Sequence, residues 1–141
     1  MIRVAETDAD KQACFDLRRQ VFVGEQGVTE AEEVDGLDPE ATHVLLRVGD
    51  TPIGTMRLRI VEGMGKVERV CVSPDHRSDG HGADLIRWAI GYFRKGEKVK
   101  GVKLGAQVRA IGFYEALGFE AYGPEYLDAR IPHRDMRVLF S

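Results

Sequence analysis

Residues 76–85, HRSDGHGADL, set Arg77, Gly80 and Gly82 between a β-patterned run, KVERVCV, and a run with helical spacing. Such a loop suits a phosphate. Glycines let the backbone bend until successive N–H groups face one point, the helix start adds the positive end of its dipole, and arginine adds a charged fork. Two common phosphate motifs fail on residues. A P-loop needs Lys and then Ser or Thr after its last glycine, but Ala83 and Asp84 follow Gly82. A dinucleotide fingerprint needs a third small residue where Leu85 stands, and it belongs to a βαβ unit rather than to the end of a meander. What remains is Arg-x-x-Gly-x-Gly opening a helix. It is either a pyrophosphate cradle or a glycine-rich turn that merely starts the helix.

Other candidate groups are scattered. From residue 25 to residue 40 there are seven acids and no Lys or Arg. The run is a solvated face or the wall of a pocket for a cationic ligand. His43 follows Asp35 and Asp38, but the spacing matches no common zinc pattern, so no metal is expected. Cys14 and Cys71 form no CxxC, which suits a reducing, cytoplasmic setting.

The elements that must position these groups follow from periodicity. IRVAE reads as a first strand, and Thr7 or Asp8 caps a helix carrying Ala13, Cys14, Leu17 and Val21. THVLLRV, IGTMRLRIV and KVERVCV, joined by short turns, predict an antiparallel meander, with Gly54 marking a bulge. Glu68, Val70 and Val72 fall on one face by simple alternation. Leu85, Ile86, Ala89, Ile90 and Phe93 form a helical stripe, GVKLGAQ a strand, and AIGFYEALGF a helix stopped by Gly118. The tail reads as two strands joined by a long excursion. The order β, α, three strands, α, β, α, two strands predicts an α/β, mostly antiparallel mixed sheet with helices on both faces.

The chain of 141 residues suits one domain, 1–141, with 43% hydrophobic residues to build its core. A net charge of −3 and a pI near 5.8 argue against a general nucleic-acid binder. No apolar run is long enough to span a membrane, and the N-terminus carries no apolar signal region.

Together the motifs resemble the GNAT superfamily of GCN5-related N-acetyltransferases. RSDGHGADL resembles its R/Q-x-x-G-x-G/A pyrophosphate loop, and LGAQVRAIGFYEALGF its second block. VFVGEQGV, KVERVCV, AQVRAIGFYEALGF and IPHRDM further resemble the small ElaA-like group, so the likeness runs over nearly the whole chain. Three positions depart from the pattern. Asp79 puts a carboxylate in the loop, Gly105 stands where Asn or His is frequent, and Arg130 replaces a common Gly before IPH.

The resemblance implies an acetyl-CoA-dependent transfer to a primary amine, on a small-molecule or peptide acceptor. Arg77, Ser78, Asp79, Gly80, His81, Gly82 and Ala83 would hold the pyrophosphate. Backbone of Val70, Cys71 and Val72 would pair with the pantetheine arm, with Gln107 and Phe113 along the coenzyme. Glu25, Gln26 and His133 would face the acceptor, and a homodimer is left open. An amine with a pKa near 10.4 is neutral in about one molecule in two thousand at pH 7, a deficit of roughly 4.6 kcal/mol. The site must therefore take a proton, stabilise an oxyanion and accommodate a thiolate. The resemblance puts Tyr114 beside the sulfur as the acid. Glu68, whose strand leads into the thioester segment, is the expected base, acting directly or through water, and His133 is its rival. Cys71 lacks a visible activating His, which points to direct transfer. The alternative is a non-catalytic acyl-CoA sensor, against which the presence of Tyr114 and Glu68 counts.

Overall fold

Alternating strand runs and a single strong helical stripe produce one seven-stranded sheet. A computed structural model describes residues 1–96 and 98–141. The strands are β1 (Ile2–Val4), β2 (Thr42–Val48), β3 (Thr51–Val61), β4 (Met64–Val72), β5 (Gly101–Gln107), β6 (Glu120–Asp128) and β7 (Ile131–Leu139). Their order is β1-β2-β3-β4-β5-β7-β6, antiparallel throughout except between β4 and β5. The helices are α1 (Asp8–Arg18), α2 (Glu30–Glu33), α3 (His81–Gly96) and α4 (Ile111–Glu115). The expected mixed sheet and meander are present.

Strand alternation sends side chains to two cores. Val44, Leu46, Met56, Leu58, Val67, Leu104 and Met136 pack with Leu85, Ile86, Ala89 and Phe93 of α3. Leu45 and Cys71 point the other way, to Cys14, Leu17 and Val21 beneath α1. Helices therefore cover both faces. Burying an aliphatic side chain is worth about 1.5–3 kcal/mol, so these two layers carry the stability of the fold.

Two local breaks shape the middle of the sheet. Thr55 pairs with Cys71 but Arg57 with Glu68, so β4 holds one extra residue, and Arg69 lies there at φ 55°. This bulge overturns simple alternation. Val70 and Val72 pack on the α3 core, while Glu68 faces the opposite side against Arg57. The second break is a parting of strands. β4 and β5 pair at Gly65–Val102 and Lys66–Lys103 and nowhere further among the described residues. From Val67 and Leu104 onward they open a cleft whose backbone edges are free.

Three expectations need correction. Val21 is buried but lies beyond α1, on a π-helix spanning Arg19–Glu25. The acidic segment is partly ordered: Thr29 and Glu32 form a capping box on α2. The last two strands are joined by two residues, not a long excursion. Ala129 and Arg130, at φ 50° and 68°, make the left-handed turn that hairpin twist favours. The irregularity lies instead inside β6, where register shifts between Tyr122 and Tyr126.

Candidate active site

The phosphate-type loop follows β4 after one 3-10 turn, Pro74–His76. Ser78 and Gly80 adopt φ 73° and 81° among residues with negative φ, an alternation that turns successive N–H groups to one side. Asp84 N–H donates to the Gly80 carbonyl at 3.0 Å, so α3 starts here and its first N–H groups have no partner within the helix. Arg77, Ser78, Asp79 and Gly80 are exposed, and His81, Gly82 and Ala83 half-exposed. A side chain at Gly82 would begin 3.5 Å from the Phe113 ring, so α4 meets the loop there. Arg77 is engaged elsewhere. Its Nε donates to the Val72 carbonyl at 3.1 Å, and its two Nη groups grip the Glu25 carboxylate at 2.5 and 2.6 Å.

A cavity of about 370 Å³ opens where β4 and β5 part, and it gathers side chains far apart in sequence. Gln26, Glu68, Val70, Gln107, Tyr114 and His133 line it together. The phosphate loop, Phe113 and Glu25 do not. Phe113, exposed, stands edge-on to Tyr114 at 5.0 Å and so bridges the loop and the cavity.

Each lining group has a distinct environment. Burial pushes the Tyr114 hydroxyl up to about 12, so it keeps its proton at neutral pH. Burial pushes Glu68 up, but the hydrogen bond from Arg59 and the charges of Arg57 and Lys66 outweigh it and hold the carboxyl below its ordinary value. Arg57 Nε and Arg59 Nε reach Glu68 at 3.0 and 2.7 Å. His133 Nδ1 lies 2.7 Å from the Ile131 carbonyl. A carbonyl only accepts, so Nδ1 carries the proton and Nε2 of the neutral ring is left with its lone pair. Gln107 Nε2 donates to Gln26 Oε1 at 3.0 Å. Cys71 is buried, and burial pushes its thiol up to about 12, so it is no thiolate.

Two features were missed by sequence reasoning. Tyr126 stacks on His133 and donates to Asp135 Oδ1 at 2.7 Å. A side chain at Gly105 would collide with that phenolic oxygen, so the absent side chain on β5 makes room for a hydroxyl delivered from β6. Only the unusual Gly105 signalled it. The second is an ion network. Arg18 and Arg57 are completely buried. Arg18 pairs with Glu33 and Asp38, Arg57 with Asp35, Asp38 and Glu68, and Arg69 with Glu33 and Asp35. Glu32 binds Arg130, Glu25 binds Arg77 and Glu30 binds Arg19. The acidic run is largely neutralised, because six of its seven acids have cationic partners, while Glu25, Glu30, Glu32, Asp35 and Glu40 stay exposed and Glu32 and Glu33 line the cavity. His43 is buried beneath it, with Nε2 3.0 Å from the Asp38 carbonyl, as a packed core histidine.

Comparison with known proteins agrees with this geometry. Residues 5–140 match the acetyltransferase (GNAT) domain family. The chain is 37% identical over 134 residues to the Bacillus subtilis protein named "uncharacterized N-acetyltransferase YjcF", covering 94% of this chain and 95% of that one. Among solved structures it is similar to an acyl-CoA N-acyltransferase from Pseudomonas aeruginosa, with TM-score 0.86 and 30% identity over 97% of this chain and 96% of the other. It is also similar to Escherichia coli ElaA, with TM-score 0.84 and 26% identity over 97% and 99% of the two chains. No helix among the described residues is long and apolar enough to cross a membrane. A parted β4–β5 pair, a glycine loop opening α3 and a match that spans the chain lead to one conclusion: this protein belongs to the GNAT acetyltransferases and is an acyltransferase enzyme.

Proposed function

We propose that the enzyme moves an acetyl group from acetyl-CoA directly to a primary amine held in the cavity between β4 and β5. The observation that carries this reading is the arrangement along the cleft. A cradle of N–H groups lies at one end, free strand edges run between, and a cavity with a neutral phenol and a free imidazole nitrogen lies at the other. The diphosphate would sit on residues 77–83, and the pantetheine arm would pair with the open edge of Val70, Cys71 and Val72 as an added strand. Two solved structures of the same fold, one from Bacillus subtilis and one from Bacillus anthracis, hold CoA and acetyl coenzyme A respectively.

In this mechanism His133 Nε2 takes the ammonium proton, the neutral nitrogen attacks the thioester carbon, and the adduct nitrogen sheds its second proton to solvent. The tetrahedral oxyanion is met by a backbone N–H of β4, and the C–S bond then breaks. Tyr114 donates a hydrogen bond to the departing sulfur, and the proton on His133 returns through solvent to the thiolate. The base is assigned to His133 in preference to Glu68, because three cations already stabilise the Glu68 anion and make it a weak proton acceptor. Glu68 instead orients the acceptor side of β4. The unreactive Cys71 thiol favours direct transfer over an acetyl-cysteine intermediate. Five carboxylates line the cavity (Glu32, Glu33, Glu68, Asp128 and Asp135) against Lys66, Arg69 and Arg109, and Asp128 has no hydrogen-bond or ion-pair partner among the described residues, a balance that favours a cationic acceptor.

Calorimetric titration with acetyl-CoA, followed by an amine panel read by thiol release, tests the proposal. Saturable binding with amine-dependent thiol release is expected. Failure to bind at millimolar acetyl-CoA would overturn it.

A further inference from the structure

Phosphate binding does not explain the Arg77–Glu25 pair at the phosphate loop. Arg77 has committed three of its five N–H donors. With Nε on Val72 and both Nη groups on Glu25, no bidentate edge is left for another anion. A carboxylate is thus bound where the loop would present its arginine to a diphosphate. Both side chains are 40% exposed, so the pair is weak and cheap to exchange.

Glu25 also ends the π-helix, a rare geometry that recurs at functional sites. The next residue, Gln26, faces the other way. Its N–H closes on the Val21 carbonyl at 3.0 Å, and its side chain bonds Gln107 inside the cavity. Adjacent residues thus touch the phosphate loop and the acceptor cavity.

We propose that Glu25 is a positioning residue that occupies Arg77 as an internal stand-in for a phosphate of the coenzyme, and that coenzyme binding displaces it. This rests on the reading of residues 77–83 as the diphosphate site. In the free enzyme Glu25 holds the arginine at the mouth of the loop. The incoming diphosphate, more highly charged and with more acceptor oxygens, takes the fork and repels the carboxylate. Release of Glu25 loosens the end of the π-helix, so occupancy of the coenzyme site reaches Gln26 and the acceptor cavity.

The test is the affinity of CoA for wild type, E25Q, R77Q and the double variant, each checked for an unchanged melting temperature. Removing the competing anion should tighten CoA binding by roughly three- to tenfold at about 20 mM salt, and the gain should shrink as salt rises. In the R77Q background E25Q should change nothing. Dephospho-CoA should keep the gain if the diphosphate is the competitor, and pantetheine should show none. Hydrogen exchange at residues 24–28 should rise in wild type when CoA binds and be raised in E25Q without it. Equal or weaker CoA binding by E25Q, or a gain that persists in R77Q, would overturn this inference while leaving the acetyltransferase reading intact. A wild type that binds no CoA would overturn both.

Discussion

Tyr114 carries the most direct test of the chemistry. Tyr114→Phe keeps the ring that packs edge-on to Phe113 and Phe119 and removes only the hydroxyl. We expect kcat to fall by roughly ten- to a thousandfold with acetyl-CoA affinity nearly unchanged, measured by thiol release and calorimetry. Unchanged turnover would make Tyr114 a packing residue. Cys71→Ala should retain activity, since a buried thiol held up to about 12 supplies no thiolate. The base is separable by pH. If His133 Nε2 takes the proton, the rising limb of kcat/KM should vanish in His133→Gln and survive in Glu68→Gln. A limb that instead follows the amine, when a second amine of lower pKa is used, would mean that solvent takes the proton. At Gly105, alanine would push the Tyr126 hydroxyl off Asp135. We expect a higher acceptor KM and little change in coenzyme affinity, with a crystal structure of the variant showing the ring displaced.

At the scale of elements, two glycines in the sheet are required by close approach. A side chain at Gly101 would drive into the Val138 carbonyl on β7, and one at Gly65 would sit 2.5 Å from the Phe93 ring of α3. Gly65→Ala should cost about 1–3 kcal/mol in chemical denaturation, because ring and strand must separate. Gly65 is part of the short β4–β5 pairing and Gly101 adjoins it, so their loss should also alter the cleft. The periodicities that expose the meander and α3 are local, and those elements were legible in the sequence. So was the loop, since its glycines and the helix start are contiguous. The π-helix was not, because Val21 keeps a spacing compatible with α1 while the hydrogen-bond pattern changes around it. The hairpin turn at Ala129 and Arg130 was hidden because its left-handed pair contains neither Gly nor Asn. The bulge at Arg69 was hidden too, and with it the true direction of Glu68. Gly54, by contrast, signalled its irregularity: β2 and β3 shift register beside it, and Leu85, Leu46 and the Cys71 carbonyl crowd the space above it.

Across the whole molecule, the buried ion network joins parts of the chain that no short-range pattern connects: α1, the acidic segment, β3 and β4. Arg57→Met would take one cation from each of Asp35, Asp38 and Glu68, which keep Arg69, Arg18 and Arg59, and should cost about 1–3 kcal/mol in denaturant unfolding, because each carboxylate loses a charged hydrogen-bond donor. The network also sets the acid limit. Hydrogen bonds from Arg57 hold Asp35 well below the usual carboxylate range. Asp38 is pushed up by burial but lowered overall by Arg18 and Arg57. For such depressed groups the unfolded chain takes up protons first as pH falls. Their contribution is therefore complete above about pH 4, the unfolded range, and is lost as pH drops through the folded values. Thermal melts should show a steep loss of stability below about pH 4, and Arg57→Met should flatten that slope. The same arrangement bears on descent. Arg18, Arg57 and Arg69 come from α1, β3 and β4, and the acids that answer them from the acidic segment and, for Arg57, also from Glu68 on β4. A lineage that changed one partner alone would pass through a destabilised ancestor before the others could follow. The set should therefore be inherited or abandoned as a block, and the ancestry of the acidic segment should be readable from its arginines.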